Sequence, residues 1–580
     1  MRRFFRYFWG DLIQQFYIIA NLKRYLKENE LSLITKAMIV GAVAAIIILL
    51  LKQVIHHMLA WTFELPAWAG SNVVIFLPLL LGALIVAALS NYTAQRIPYT
   101  DDLGHVHDLA DIEGDGVERA IALYYSTRPS LANALRAEEG LENRWRYNSV
   151  SLLGRKMLAS ASTIGLGGSG GLEASAVLLG ETLAAGLFKP RQWRLLPNWG
   201  AARRWKKWWQ LEAPEALQTM QLCGVAAAIS TLVGTPLMAA FFATEVMYRR
   251  TTIYQKFIYA LAASVTAHAV STGLGIYQQP FEIEQRILPP ATFQFSLVVI
   301  GVSVAVSLVG LFYTGVTHAF NRAFGQVKNI WQRFVMGAIF TGLIAIAAAW
   351  AGGFDLWMVL GTGETALNQM LNQNVLVSVT LIALIGKMLT TSTTISSGGS
   401  AGLLVPSLLL GTMVANIFAT AFQMPVVPLA AAAITASLVT LIKVPISSLV
   451  FVGEAFGAGY IGPAVVALIV SSLITYDNSI YRTQRDAARR RELVRGYSLQ
   501  RIPVPGIFAG KTIRQLNIQS NYHVNVVGVV HPGDRREIAP EPDAVLSTRD
   551  ELIIVGATEA VRAMGQLSKA QNDWLPEQAG

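Results

Sequence analysis

A single acidic residue follows a run of glycines in an apolar part of the chain. The segment G-G-S-G-G-L-E-A-S occupies positions 167–175, with apolar helical sequence on both sides. A helix that begins near Glu173 would offer unpaired N–H groups and the positive end of its dipole. Such an end binds anions without a cationic side chain. The segment therefore predicts an anion site at the start of a helix.

A second glycine segment, G-G-S-A-G-L-L-V-P at 398–406, repeats the pattern and predicts free amides at Leu403 and Leu404. Two facing helix N-termini suit a monovalent, weakly hydrated anion, because they bind it weakly enough to release it. Glu173 would be drawn to the same dipole, so we interpret its carboxylate as a protonatable plug that competes with the anion. The alternative is a first-turn glutamate that only stabilises its helix.

The two glycine segments belong to a longer internal repeat. Further along, G-T-P-L-M-A-A-F-F-A-T-E (234–245) corresponds to K-V-P-I-S-S-L-V-F-V-G-E (443–454), with the same separation between proline and glutamate. Duplicated halves are typical of transporters and channels whose ion site lies at the repeat interface. Packing of small residues between helices is the alternative. We expect Glu245 and Glu454 to be structural residues, satisfied near helix ends.

The composition indicates the element that must position these residues, a helical membrane bundle. Of 580 residues, 53% are hydrophobic and 14% are charged, against about 25% charged in a typical soluble domain. Apolar runs at 72–90, 296–313 and 335–351 approach the roughly 20 residues that cross a bilayer as helix. These features exclude a soluble enzyme, a disordered chain and a nucleic-acid-binding domain as the main body. They predict an all-α polytopic membrane protein.

The net charge of +10 has a topological interpretation. The Lys and Arg clusters abut apolar segments, so both termini are predicted to face the cytoplasm by the positive-inside rule. This pattern argues against nucleic-acid binding. The clusters lie at 1–27, 189–207, 249–256 and 482–495.

Candidate metal ligands and catalytic groups are scarce. The single cysteine, Cys223, excludes a disulfide framework and a cysteine metal cluster. His105 and His107 stand two residues apart and do not share a helix face, so no metal site is expected there. With no nucleophile–base or metal constellation, we do not expect an enzyme.

Hydropathy changes near Tyr481, where a basic segment interpreted as a charged helical linker leads to a mixed sequence. Runs at 524–530 and 551–556 read as strands, and K-T-I-R-Q-L-N (511–517) reads as a short helix. These patterns predict a small α+β cytoplasmic domain. The expected organisation is an amphipathic N-terminal helix at 1–31, a transmembrane domain at 32–481, a charged linker at 482–496, the α+β domain at 497–567 and a polar tail at 568–580.

The ordered motifs give the membrane part a family resemblance. It resembles the CLC family of chloride channels and chloride/proton exchangers, whose anion-site segments are G-S-G-I-P, G-R-E-G-P and G-x-F-x-P, with a tyrosine on the last membrane helix. Here G-D-G-V-E (114–118), G-L-E-A-S (171–175) and G-L-L-V-P (402–406) stand in those places, in that order. The resemblance implies an inverted-repeat helical fold, a gate at Glu173 and anion binding at Asp115, Gly116, Leu172, Ala174, Leu403, Leu404 and Tyr481.

Two departures from the family pattern bear on mechanism. The family serine aligns with Asp115, whose ionised side chain would repel an anion; it would either cap its own helix or line the pore. In the exchangers a second glutamate follows the family glutamate that aligns with Glu245, and it relays protons; here that position is Val246. An apolar side chain carries no proton, so the sequence favours a passive channel over an exchanger.

The tail resembles the C-terminal module of TrkA-type potassium-transport regulators, on G-K-T-I-R-Q-L-N, V-N-V-V-G-V-V and D-E-L-I-I-V-G. Relatives of that module bind small ligands, in some cases cyclic dinucleotides, usually as dimers. The resemblance implies either ligand sensing or dimerisation for this tail.

Together these features predict a homodimeric, multi-pass anion channel in a bacterial inner membrane, in contact with lipid, with chloride as the permeant ion and no cofactor. A chloride/proton exchanger of the same fold is the first alternative. A ligand-regulated component of a potassium system is the second, although the T-V-G-Y-G filter is absent from the sequence.

Overall fold

The computed structural model describes residues 28–100, 106–126, 144–189, 208–211, 214–247, 254–275, 283–475, 480–481, 484, 490–494, 497–532 and 535–572. The predicted N-terminal helix lies outside these ranges up to residue 27, as does most of the predicted polar tail. The described part contains a helical membrane portion and a small sheet domain that follows it in sequence.

Sixteen α-helices of the membrane portion fall within the described residues. They are α1 (Glu28–Ala69), α2 (Phe76–Thr93), α3 (Gly116–Ser126), α4 (Ser149–Gly165), α5 (Glu173–Leu187), α6 (Pro214–Val233), α7 (Pro236–Val246), α8 (Tyr254–Gly273), α9 (Phe293–Gly325), α10 (Ile330–Gly352), α11 (Glu364–Asn372), α12 (Val377–Ser396), α13 (Leu404–Phe422), α14 (Val426–Ser437), α15 (Pro445–Ala455) and α16 (Ile461–Ile474). Two short strands, β1 (Arg96–Thr100) and β2 (Val106–Ala110), pair antiparallel before α3.

Seven helices among the described residues are long and apolar enough to cross a membrane: α1, α2 with the turn before it, α6, α9, α10, α12 and α13. They contain the three apolar runs that the sequence marked. Large apolar side chains such as Trp350, Phe293 and Phe312 are exposed on the outside, as expected where lipid replaces water. The polytopic all-α prediction is confirmed.

The internal repeat is visible in the geometry of the two glycine loops. One loop joins α4 to α5 and the other joins α12 to α13. Gly167 and Gly398, at equivalent positions, both adopt left-handed backbone, with φ of +95° and +111°. A residue with a Cβ disfavours that region, which accounts for glycine at both positions.

Each loop donates a hydrogen bond to a threonine on the helix that precedes the other loop. The amide of Ser400 donates to Thr163 Oγ1 at 3.0 Å, and the amide of Ser169 donates to Thr394 Oγ1 at 3.2 Å. Each half of the repeat thus supplies the hydroxyl that the other half's loop needs. Without water at this depth, such backbone groups must find protein partners.

The glutamates of the longer repeat make a second exchange. Glu454 accepts hydrogen bonds from two amides at the start of α7, those of Leu237 at 3.0 Å and Met238 at 2.7 Å. Glu245 does the same for α15, where the amide of Ser447 donates at 2.9 Å. Both carboxylates lie where helix dipoles favour negative charge. The expectation that they are structural residues at helix ends agrees with these contacts.

A buried ion pair anchors the chain just before α4. Arg144 donates from Nε and Nη2 to the two carboxylate oxygens of Glu181 on α5, at 2.8 and 2.9 Å, and both side chains are fully buried. Gln221 on α6 donates to the same carboxylate. Most of the charged segment at 131–147 lies outside the described residues, but its last part is held against the helix that Glu173 begins.

The domain after the membrane portion is a five-stranded antiparallel sheet. Its strands are β3 (Arg490–Val494), β4 (Tyr497–Pro503), β5 (Val524–His531), β6 (Arg535–Ile538) and β7 (Glu551–Ala557), in the spatial order β3-β4-β7-β5-β6. Three helices accompany them: α17 (Ile513–Leu516), α18 (Ile518–Tyr522) and α19 (Thr558–Asn572). The two predicted strands and the short helix are confirmed, and Thr512 and Gln515 form a capping box at α17.

The linker expectation was wrong at its end. The charged segment was interpreted as helical, but Arg490–Val494 is a strand that pairs with β4. An edge strand accommodates a charged sequence because only one side of its backbone is paired. The last membrane helix ends at Ile474, so Tyr481 is not carried on a helix that continues into the sheet domain.

One histidine of the sheet domain bridges two carboxylates. His531 lies 3.0 Å from Asp550 through Nδ1 and 3.4 Å from Glu537 through Nε2. The hydrogen bond with Asp550 raises the pKa of His531 above its usual value. The stability that this contact contributes is therefore complete below the ordinary histidine pKa and is lost as pH rises through the raised one.

Candidate functional site

Three helix N-termini meet at the centre of the membrane portion. The backbones of Gly171 and Gly402, just before α5 and α13, exchange two hydrogen bonds of 2.7 Å. The first residue of α3, Gly116, lies so close to α5 that an added Cβ would be 2.2 Å from the carbonyl oxygen of Ala174. The glycines permit these approaches, and the positive ends of three dipoles converge as a result.

The starts of α5 and α13 have no side-chain cap of their own, in contrast to those of α4 and α10. Asn148 caps α4 and Asn329 caps α10 through their side-chain oxygens. The capping residues of α5 and α13, Leu172 and Leu403, are apolar and supply no such acceptor. Their first-turn amides therefore depend on an acceptor from elsewhere, which a carboxylate or a bound anion provides.

Glu173 is the first residue of α5, and its side chain is buried. The carboxylate folds back over the glycine loop, so that a Cβ on Gly171 would lie 2.1 Å from Glu173 Oε2. The backbone amides of Glu173 itself and of Val405 are close enough to interact with the carboxyl group. Its Oε2 has no hydrogen-bond partner among the described residues. The carboxylate thus occupies the space over the starts of both helices.

Asp115 caps its own helix, one of the two alternatives from the sequence, and also contacts the start of α13. Its Oδ1 accepts a hydrogen bond from the amide of Val117 at 2.8 Å, which caps α3. Its Oδ2 accepts from the amide of Leu403 at 3.1 Å, at the start of α13. The buried carboxylate therefore holds an amide that the sequence assigned to anion binding.

A cavity of about 210 Å³ opens beside Asp115. Leu403 and Tyr481 line it, together with the charged side chains of Glu118 and Arg119. Tyr481 is almost fully buried although it lies outside any helix. Asp115, the start of α13 at Leu403 and the predicted tyrosine therefore all border one cavity.

The remaining predicted positions are apolar and buried. Leu172, Ala174 and Leu404 expose at most 3% of their surface, so only their backbones can contact an ion. Val246 ends α7, and its carbonyl accepts a hydrogen bond from Gln484 Nε2 at 3.0 Å. At this position the side chain offers no titratable group.

Two buried lysines beside the site did not follow from the glycine pattern. Lys156 on α4 donates to the carbonyls of Ile112 and Gly114, both at 3.2 Å, in the loop that carries Asp115. Lys387 on α12 donates to the carbonyl of Gly361 at 3.0 Å. The signal that identifies them is their equivalent placement in the repeat, combined with a charge inside an apolar helix.

No group of three or more His, Cys, Asp or Glu side chains among the described residues is arranged to hold a metal ion. His105 and the side chain of His107 lie outside that part of the chain. Cys223 is buried in α6.

Family comparisons match both parts of the chain. Residues 121–476 match the family model described as voltage gated chloride channel, and residues 499–568 match that of the TrkA-C domain. A chloride/fluoride channel protein of Pseudomonas syringae pv. tomato is 25% identical over 310 residues, which are 53% of this chain and 65% of that protein. An uncharacterized protein of Methanocaldococcus jannaschii is 21% identical over 327 residues, 56% of this chain and 75% of that protein.

Solved structures share the fold. A CLC-type fluoride/proton antiporter superposes with a TM-score of 0.60 at 20% identity, covering 79% of this chain and 99% of the antiporter. A slow cyanobacterial Cl⁻/H⁺ antiporter gives a TM-score of 0.58 at 17% identity, covering 78% and 96%. The inverted-repeat helical fold with a small sheet domain at the C-terminus is therefore confirmed.

The contact between Asp115 and Leu403 makes a testable prediction. Asp115→Ser removes the carboxylate from the Leu403 amide, so we expect the apparent affinity for chloride to rise about tenfold or more, since a hydrogen bond to a charged group contributes about 1.5–3 kcal/mol. The measurement is the concentration dependence of chloride flux from proteoliposomes. Glu118→Gln, which neutralises a carboxylate in the same cavity, is the matched control. An unchanged affinity in folded Asp115→Ser protein would contradict the competition.

Proposed function

Since the chain belongs to the voltage gated chloride channel family, whose members transport anions, we propose that it is a passive anion channel with one pore in each subunit of a homodimer, gated by Glu173. One observation carries the proposal. The buried Glu173 carboxylate lies over the starts of α5 and α13, which have no side-chain cap of their own, where Gly171 and Gly402 join the two halves of the repeat.

The chemistry of the site supports a small monovalent anion. Each helix start offers unpaired amides and about half a positive charge from its dipole. Amides replace part of the hydration shell of an ion without the strong attraction of a fixed charge in direct contact, so release stays fast. Chloride is the proposed permeant ion. Two of the similar proteins are a chloride/fluoride channel protein and a fluoride/proton antiporter, which makes fluoride the second anion to test.

Gating follows from competition between two anions for the same amides. While Glu173 is ionised and folded over Gly171, its carboxylate excludes a mobile ion from the starts of the two helices. Protonation removes the charge, and the dipoles then favour the mobile anion over the neutral side chain. The gate therefore opens as protons or permeant anions become more abundant.

The gate proposal predicts the behaviour of Glu173→Gln. The neutral amide mimics the protonated side chain, so we expect chloride flux at neutral pH to rise severalfold and its pH dependence to flatten. Flux from proteoliposomes, measured at several pH values against equal amounts of wild-type protein, tests this. Glu364→Gln, which removes a carboxylate near Glu173 without touching the helix start, is the control. Wild-type flux and pH response in Glu173→Gln would show that the gate is elsewhere.

The channel mode is supported by Val246. The family exchangers carry a proton-relaying glutamate at this position, and here the side chain is apolar and buried, with the amide-bearing Gln484 against its carbonyl. A chloride/proton exchanger is the second candidate. Asp115 and Glu118, two carboxyl groups at one cavity, favour it because either group can accept a proton.

Coupling distinguishes the two modes. In a passive channel, an imposed chloride gradient does not drive protons against their own gradient. We expect no uphill proton movement when chloride and pH are followed together in proteoliposomes holding wild-type protein. Uphill proton movement with a fixed chloride-to-proton ratio would move the assignment to the exchanger, and its loss in Asp115→Asn would identify the route.

The sheet domain is proposed as a regulatory module on the cytoplasmic side of a bacterial inner membrane, where both termini lie. Its match to the TrkA-C domain supports binding of a small ligand such as a nucleotide, and dimerisation is the alternative role. The same match is the only feature that favours a component of a potassium system.

A stop after Gln484 tests the regulatory role. Gln484 also donates to the carbonyl of Ile442, so this end point keeps its contacts and removes the whole sheet. We expect a folded, anion-selective pore whose open-to-closed ratio changes about 5- to 150-fold, for a coupling of about 1–3 kcal/mol. Equal fluxes from full-length and truncated protein, with and without candidate nucleotides, would leave the domain as an assembly device.

A further inference from the structure

Lys387 is a fully buried cation in a helix long and apolar enough to span the membrane. Its Nζ donates to the carbonyl oxygen of Gly361 at 3.0 Å. Charged side chains at such depth are costly and rare, and they are retained mainly where a partner or an ion path needs them. A single carbonyl does not neutralise an ammonium group, so most of the cost of burying this charge is left uncompensated by that contact.

The Gly361 carbonyl connects this lysine to the glycine loop that precedes Glu173. It also accepts a hydrogen bond from the amide of Gly170 at 3.1 Å. Lys387 and Gly170, which stands three residues before Glu173, therefore donate to the same carbonyl oxygen. A Cβ on the neighbouring Gly363 would lie 3.4 Å from Lys387 Nζ, so backbone packs closely around the ammonium and fixes its position.

The other half of the repeat also places a buried lysine against a loop of the site, although there the lysine and the glycine loop do not share an acceptor. Lys156 donates to Gly114 in the loop that carries Asp115, and the amide of Gly114 donates to the carbonyl of Gly398 in the opposite glycine loop at 3.3 Å. Lys156 and Lys387 are separated along the chain by the same distance as the two glycine loops. Each half of the repeat thus places one buried lysine on backbone carbonyls near the site.

Charged groups on three helices interact electrostatically with the Glu173 carboxylate. Glu364 begins α11, Lys52 belongs to α1 and Lys387 to α12. Lys52 and Glu364 are partly exposed, and Lys52 also acts on Glu364 together with His56. Lys387 is the fully buried cation of this group.

We propose that Lys387 is a fixed positive charge beside the conduction path, which stabilises the Glu173 carboxylate in the closed state and stabilises the permeant anion once that carboxylate is neutral or displaced. The inference rests on the proposed gating role of Glu173 and deepens it. A buried cation at the Glu173 end of the path offsets the cost of dehydrating the anion there, whether this is the Glu173 carboxylate or the permeant ion.

Two backgrounds separate this role from a structural one, because the proposal predicts effects of opposite sign. In the wild-type background, Lys387→Gln removes the charge that stabilises the blocking carboxylate, so the pH of half-maximal chloride flux should move upward by roughly one to three units. In the Glu173→Gln background, the mobile anion alone uses the lysine, so Lys387→Gln should weaken the apparent chloride affinity about tenfold or more.

The controls use charge and shape. Lys387→Arg keeps the charge and should retain most of the wild-type pH response, while Lys52→Met removes an equal charge from a partly exposed position and should move the midpoint less. Lys387→Met checks that the result does not depend on the glutamine amide. Gel filtration and thermal unfolding in detergent establish folding before flux is measured.

Each outcome decides the proposal. Opposite effects in the two backgrounds support it. Equal losses of flux in both, no effect in either, or failure of both Lys387→Gln and Lys387→Met to fold would assign Lys387 a structural role and overturn it. The gate itself is judged by Glu173→Gln alone, so its failure is distinguishable from failure of the lysine.

Discussion

Two backbone hydrogen bonds between Gly171 and Gly402 hold the centre of the membrane portion together. Backbone groups at this depth have no water to bond to, so each loop must be satisfied by protein. The two halves of the repeat provide partners for each other. Gly171 pairs with Gly402, and the hydroxyl oxygens of Thr163 and Thr394 accept hydrogen bonds from backbone amides of the opposite loop. Because no Cβ separates the loops, helices α5 and α13 start against one another, and their first amides share one space.

That shared space explains the distribution of charge around it. Converging dipoles favour negative charge, and two carboxylates, Glu173 and Asp115, lie on helix-start amides that have no capping side chain of their own. Buried carboxylates without compensation are costly. Lys156 and Lys387, one from each half of the repeat, donate to backbone carbonyls near the site, and in our proposal Lys387 supplies that compensation for Glu173. In the proposed account, carboxylate and mobile anion are alternative occupants of a site whose positive charge is fixed.

The sequence predicted the parts of this arrangement that depend on local patterns. Glycine runs followed by apolar helix located the starts of α5 and α13, and Glu173 stood out because it was an acid in apolar surroundings. The second contact of Asp115 did not follow from the sequence, because the Leu403 amide is distant along the chain and is brought close only by the packing of α3 against α5. The contact of Lys387 with the Gly361 carbonyl likewise depends on packing, although a charge inside an apolar helix marks this lysine in the sequence.

The sheet domain illustrates a different limit. Apolar runs separated by turn-rich sequence located β5 and β7 correctly, since these strands contribute to the core of the domain. The charged run before it was interpreted as helix, but Arg490–Val494 pairs with β4 at the edge of the sheet. A charged sequence has no burial preference that distinguishes a solvated helix from a solvated edge strand. Pairing with a neighbour made that choice, and the continuous mechanical link to Tyr481 that a helix would have provided is absent from the described residues.

The central claim is that the Glu173 carboxylate and a mobile anion compete for the same helix-start amides. Anomalous diffraction from bromide-soaked crystals of wild-type protein and of Glu173→Gln tests it most directly. The account predicts a bromide peak at the starts of α5 and α13 in Glu173→Gln, in the space that the folded carboxylate fills in the wild type, and no peak there in the wild type at neutral pH. Bromide bound there with the wild-type carboxylate still folded over Gly171, or no bromide in the variant, would contradict it.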